Sequence, residues 1–181
     1  MKYILKMLLL TLACALLFCG CADKGMINLN ETDANGKKAA VVYMNLPADD
    51  FKEQAQEGFY AVYASDNIAV FVTRETYADV EKANIGLTKA SSNEDYAKVV
   101  IANNALGTLT PTTDENGITT FVYDKLVDGV SYTYIARVEK SDDSFWLFQF
   151  SMETDDFTAD KNQTMLGYAK GVKVVKPYVA Q

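Results

Sequence analysis

The chain has 181 residues with 17 basic and 24 acidic side chains, three cysteines and no histidine, for a net charge of −7 at neutral pH. A surface of that sign repels phosphate backbones, whose binding rests on basic residues displacing counterions, so nucleic acid is not an expected partner. The missing imidazole excludes Ser-His-Asp and Cys-His catalysis and histidine metal sites, and three cysteines alone leave a zinc clip without its fourth ligand.

Lys2 and Lys6 open the chain ahead of an apolar run, "MLLLTLACALLFCGCA", from Met7 to Ala22. A basic start followed by such a run is laid out as a secretory signal, and it falls short of the ~20 apolar residues a membrane-spanning helix needs. At its end Phe18, Cys19 and Gly20 lead into Cys21. This stretch resembles the lipobox of bacterial lipoproteins, with Phe18 in place of the usual Leu and Cys19 in place of Ala or Ser. The resemblance implies cleavage between Gly20 and Cys21 and a diacylglyceryl group on the Cys21 sulfur. Two acyl chains on one sulfur meet the two-signal requirement for lasting membrane attachment. Cys14, after Ala13, is a second candidate but leaves a very short apolar segment, and an uncleaved anchor is the remaining alternative. Removal of residues 1–20 leaves no free thiol, no disulfide and a net charge of −9.

Residues 22–39, "ADKGMINLNETDANGKKA", are polar and bear Gly and Asn, so residues 21–39 read as a lipid-anchored flexible tether. With coil statistics such a segment spans ~25 Å. The folded domain is then expected over residues 40–181. "AAVVYMNLP" reads as a short strand stopped by Pro47. Asp50 and Glu53 have capping-box spacing, which suggests a short helix or turn. "GFYAVYA" and "IAVFVT" form a hairpin around "SDN", with Phe59, Ala61 and Tyr63 on one face. In "SSNEDYAKVVIANNALG", Ser92 starts a helix by capping the Asp95 N–H, Gly107 marks its end, and Tyr96, Val99, Val100 and Asn103 share a stripe.

Three strands follow, in "LTPTTDENGITTFVYDKL", "VSYTYIARVEK" and "SFWLFQFSM", separated by turn clusters "DENG", "VDG" and "SDD". On the middle strand Val130, Tyr132, Tyr134, Ala136 and Val138 alternate onto one side, and Trp146, Phe148, Phe150 and Met152 are assigned to match them. Thr158 caps a last helix whose Met165, Leu166, Tyr168, Ala169 and Val172 form its apolar stripe. The expected fold is α+β, an antiparallel sheet of about six strands covered by helices.

This order of elements, from "NLP" through "FYAVYASDNIAVFVT" to "YTYIARVEKSDDSFWLFQFSMETDDFTADKNQTMLGYAKGVKV", resembles the PsbP-like domain family. The resemblance covers roughly residues 40–176 and rests on an aromatic strand, "DDF" and a closing helix. That fold is shared by an extrinsic photosystem subunit, a Ran-binding import factor and many bacterial lipoproteins of unknown role. It implies architecture; the interaction residues of those proteins are not matched position by position here.

"ETDANG" and "TTDENG" begin like calcium loops, but their twelfth positions are Val42 and Tyr123, where a bidentate Glu is required. Both read as turns, and no metal or cofactor is expected. Carboxylates gather at Asp142 and Asp143 and again at Glu153, Asp155, Asp156 and Asp160, where solvated turns and helix starts account for them. Trp146 and the tyrosines have the chemistry to stack on a sugar or peptide, yet strand alternation assigns them to the core. The expectation is a non-enzymatic lipoprotein, membrane-anchored on the extracytoplasmic face, acting as accessory or binding module for a cell-envelope protein or ligand. The alternative, a carboxylate-dependent cell-envelope hydrolase, requires two carboxyls about 5–10 Å apart with one raised in pKa.

Overall fold

The computed structural model describes residues 26–32 and 38–175. The chain runs through β1 (Ile27–Thr32), β2 (Lys38–Met44), β3 (Lys52–Gln54), β4 (Ala61–Ala64), β5 (Ala69–Thr76), α1 (Tyr77–Ala83) and α2 (Asn93–Asn103). It continues through β6 (Thr112–Thr113), β7 (Thr119–Val127), β8 (Val130–Lys140), β9 (Ser144–Glu153), α3 (Ala159–Gly171) and β10 (Lys173–Val174). The main sheet has seven strands in the order β3-β4-β5-β9-β8-β7-β6, and a second has the order β1-β2-β10. Every pairing is antiparallel. The α+β class holds.

Local chemistry sets the turns and caps. Asp128 and Gly129 both have positive φ, at 50° and 87°, and form the two-residue hairpin between β7 and β8 that matches the twist of the strands. Asp114 accepts the amides of Asn116 at 2.9 Å and Ile118 at 3.1 Å, so the "TTDENG" stretch is a hairpin turn, as expected. Ser92 caps α2 by accepting the Asp95 N–H, and the Asp95 carboxylate accepts the Ser92 N–H in return. α2 ends at Asn103, before Gly107, because the chain turns left-handed at Ala105, where φ is 53°. Its buried residues are Tyr96, Ala97, Val100 and Ile101; Asn103 is exposed, so the stripe is rotated from the expected one. Thr158 caps α3 as expected, and all five residues of the predicted α3 stripe pack into the core.

The main sheet is covered on both faces. On one side α1 and α2 pack with Phe121, Ala136, Val138, Phe145 and Leu147 around Tyr96 and Val80. On the other, α3 and the second sheet enclose Val70, Val72, Ile135, Phe148, Phe150 and Met152. β9 lies in the middle and is buried from Ser144 through Met152. Burial of each large apolar side chain contributes roughly 1.5–3 kcal/mol, so β9 carries much of the stability.

Two expectations are corrected, the tether over residues 27–32 and the facing of β9. Residues 27–32, assigned to the tether, are a strand: Ile27 and Leu29 are buried, alternating with Asn28 and Asn30, and β1 pairs with β2. The folded domain therefore begins before residue 40. Of the short helix or turn expected at Asp50 and Glu53, the turn is present, over 48–50, and it runs into β3, which pairs with β4. Trp146, Phe148, Phe150 and Met152 face the opposite side from Tyr134, Ala136 and Val138, because their cross-strand partners are Glu139, Arg137, Ile135 and Thr133. A helix absent from the sequence reading, α1, starts at the Thr76 cap and buries Tyr77 and Val80. Among the described residues no helix is long and apolar enough to cross a membrane.

Candidate binding face

The strand registers divide the helix side of the main sheet into rows. One row is Val62, Phe71, Gln149, Ala136 and Phe121; the next is Ala64, Ala69, Ser151, Tyr134 and Tyr123; the next is Glu153, Tyr132 and Lys125. α1 and α2 pack over the end of this face near Phe145, Leu147 and Val138. The other end holds a separate cluster, Val62, Phe71 and Tyr134, joined by Phe59, Ala69, Tyr123 and Tyr132, to which no helix contributes. Phe59, Tyr123 and Tyr132 are its partly accessible aromatic members, over buried Phe71 and Tyr134.

Their geometry is ordered. The Tyr123 and Tyr134 rings stack at 4.8 Å with an interplanar angle of 3°, and Phe59 tilts against Phe71 at 5.1 Å. Gln149, buried in the row between, donates its amide to the Tyr123 hydroxyl at 2.5 Å. That bond leaves the Tyr123 hydroxyl proton available to donate. Burial, with Tyr134 adding to it, pushes the Tyr123 pKa well up, and burial followed by Tyr132 raises Tyr134. Both phenols stay neutral donors at physiological pH. Tyr123 and Tyr132 remain partly accessible. The partly accessible Tyr123 and Tyr132, next to Lys125 and exposed Glu153, combine apolar ring area with hydroxyl and charged groups.

The opposite face carries a second polar assembly. Arg74 donates to Glu31, to Asp143 Oδ2 at 2.7 Å and to the Ser144 hydroxyl at 2.9 Å, with its guanidinium 5.2 Å from the Trp146 ring centroid. Tyr60 closes the assembly, donating to Glu31 at 3.0 Å and meeting Trp146 edge-on. Burial, and next the Glu31 hydrogen bond, push Tyr60 up to about 12. Every charge here has a partner, and the assembly ties β1 of the second sheet to β5 and β9 of the main one. It is a structural clasp.

The residues singled out from the sequence fall as follows. Cys21 lies outside the described residues. Trp146 is buried, as expected. Tyr63, Tyr77, Tyr96 and Tyr134 are also core, whereas Tyr123 and Tyr132 are the partly accessible tyrosines of the platform. Asp142, Asp143, Glu153, Asp155, Asp156 and Asp160 are all exposed. Among the described residues no three Asp, Glu, Cys or His side chains are grouped to hold a metal. Gln149 and Arg74 were not anticipated. One signal marked Arg74: it and Arg137 are the only arginines in the chain, and both are largely withdrawn from solvent.

No family model matches the chain, and no curated protein matches it. Among solved structures, a protein from Bacteroides thetaiotaomicron VPI-5482 aligns with 11% identity and a TM-score of 0.49, over 85% of this chain and 50% of that one. The chain thus spans about half the length of that protein. The Saccharomyces cerevisiae Ran-binding protein Mog1p aligns with 10% identity and a TM-score of 0.45, over 83% of this chain and 97% of that one.

Proposed function

We propose that this chain is a non-enzymatic lipoprotein, anchored through Cys21 on the extracytoplasmic face of a membrane, whose domain is a binding module of PsbP-like type for a cell-envelope protein or ligand. The observation that carries the reading is the helix-free end of the main sheet, where partly accessible Tyr123 and Tyr132 lie over buried Tyr134 and Gln149. Ordered, partly accessible aromatic rings with hydroxyl groups suit contact with a partner's surface.

The carboxylates support the same choice over the hydrolase. A general acid needs a raised pKa. Asp95 is lowered by the Ser92 amide and hydroxyl, and Asp114 by the Ile118 and Asn116 amides. At Asp143 burial pushes upward, but hydrogen bonds from Ser144 and Ser141 and the Arg74 charge outweigh it, and the net shift is down. All three are held in the ionised form.

The test uses the full chain in its own cells with a photo-crosslinking side chain at Tyr132, compared with one at exposed Glu81 on α1. A discrete adduct from position 132, lost in Tyr123→Ala, is expected. Equal or absent crosslinking at both positions argues against a binding role for this face. Cys21→Ser is expected to release the protein from the membrane fraction; continued membrane residence of that variant would remove the anchor from the reading.

A further inference from the structure

The start of β1 at Ile27 leaves six peptide steps between Cys21 and the sheet. Fully extended, these reach about 20 Å, and less on average. If Cys21 carries the lipid, as the proposed function holds, the domain does not swing clear of the bilayer. Whatever surface surrounds residue 26 stays close to the headgroups.

That surface is distinctive. Met26 is 43% exposed and lies on the rim of an open groove of about 490 Å³, whose other walls are Tyr43, Asn45, Gly171, Lys173 and Val175. The groove is made where the C-terminus of α3 meets the end of β2: a Cβ on Gly171 would lie 3.0 Å from the Asn45 Cβ. Lys173 is exposed, and Lys170 stands at the last turn of α3 with its side chain half accessible, 3.7 Å from the Asp114 carboxylate. A strongly acidic protein thus places a lysine, an exposed thioether and a tyrosine together on the groove nearest its proposed anchor.

We propose that the rim formed by Met26, Tyr43, Asn45 and Lys173 rests on the bilayer surface. The Lys173 ammonium meets lipid phosphates at an anionic leaflet. Met26 and the Tyr43 ring sit at headgroup level, where apolar bodies with polar tips are accommodated. α1 and α2, on the far side of the main sheet, then point away from the membrane.

The experiment uses the mature lipidated protein in phosphatidylcholine–phosphatidylglycerol vesicles containing a headgroup-nitroxide lipid. An environment-sensitive fluorophore is attached at Asn45→Cys or, as control, at Glu81→Cys on α1. Mass measurement of the same sample comes first; absence of the diacylglyceryl group defeats the anchored reading itself. With the lipid present, quenching at position 45 severalfold greater than at 81 is expected. Insertion of a flexible Gly-Ser spacer after Ala22, and separately Lys173→Glu, should each reduce it while position 81 stays unchanged. Equal quenching at the two positions in a lipidated sample, or quenching at 45 indifferent to both changes, overturns the proposal and leaves the anchor standing.

Discussion

The two arginines show how single side chains hold distant parts of this chain together. Arg137 projects from the middle of β8 and is almost fully buried; its Nη1 donates to the carbonyls of Ala169 at 2.7 Å and Lys170 at 3.0 Å, and its Nη2 to Glu139 at 2.6 Å. It therefore neutralises the negative end of α3 while fixing that helix on the sheet. Arg137→Met should cost about 2–4 kcal/mol, because buried carbonyls lose their donor and Glu139 its partner, and a lower urea midpoint at unchanged slope would register it. Arg137→Lys should recover only part of the loss, since an ammonium lacks the planar fork that spans two acceptors. Arg74 invites a pH test. Asp143, lowered in the folded state, contributes stability that is present above its unfolded value near pH 4 and lost as the pH falls through its folded value. Arg74→Gln takes away part of that lowering, so its stability deficit should be larger at pH 7 than at pH 3. A deficit independent of pH, measured by urea unfolding at both values, would show that Arg74 acts through packing on Trp146 alone.

Elements differ in how openly the amino-acid order announces them. α2 was readable because its cap is a side-chain event: Ser92 and Asp95 exchange hydrogen bonds over three residues with no help from the rest of the fold. Ser92→Ala should accordingly destabilise the protein by ~1 kcal/mol, with faster hydrogen exchange at the first turn of α2 as the local readout. β1 was missed for the opposite reason. Ile27 and Leu29 alternate with asparagines, so the strand looks like a polar linker until β2 supplies a partner and the core a place for the two apolar side chains. β9 misled in another way: it is apolar on both faces, so alternation says nothing about which face is which. Only the Lys140–Phe145 register across the Ser141–Asp143 turn sets even-numbered β9 residues against odd-numbered β8 residues. The platform inherited this difficulty. Its tyrosines come from two strands whose stacking depends on register, and their exposure depends on α1 and α2 stopping short of them, which no stretch of sequence states by itself. Gly171 was likewise silent, yet it marks a close approach between α3 and Asn45. Gly171→Ala should cost roughly 1–3 kcal/mol by crowding that contact, and Asn45→Gly in the same chain should relieve most of it.

At the scale of the molecule the fold is three layers, α1 and α2 against a seven-stranded sheet against α3 with a three-stranded sheet, and the last layer is completed by the first described strand. β1 brings Ile27 and Leu29 into the same apolar cluster as Val42, Met44, Phe148 and Phe150, and Glu31 into the Arg74 clasp. A chain shortened to begin at Lys38 keeps every strand of the main sheet but loses two buried apolar side chains, the β2 ladder partner and one arm of the clasp. Two side chains at roughly 1.5–3 kcal/mol each come to about 3–6 kcal/mol, and the freed strand edge adds to that cost. That is a large fraction of the 5–15 kcal/mol typical of a domain, so the shortened chain should unfold at much lower urea and tend to self-associate through β2. A chain beginning at Met26 should match the stability of one beginning at Cys21. The comparison separates anchor from fold: if residues 26–32 only connected the two, as their composition suggests, all three chains would unfold together.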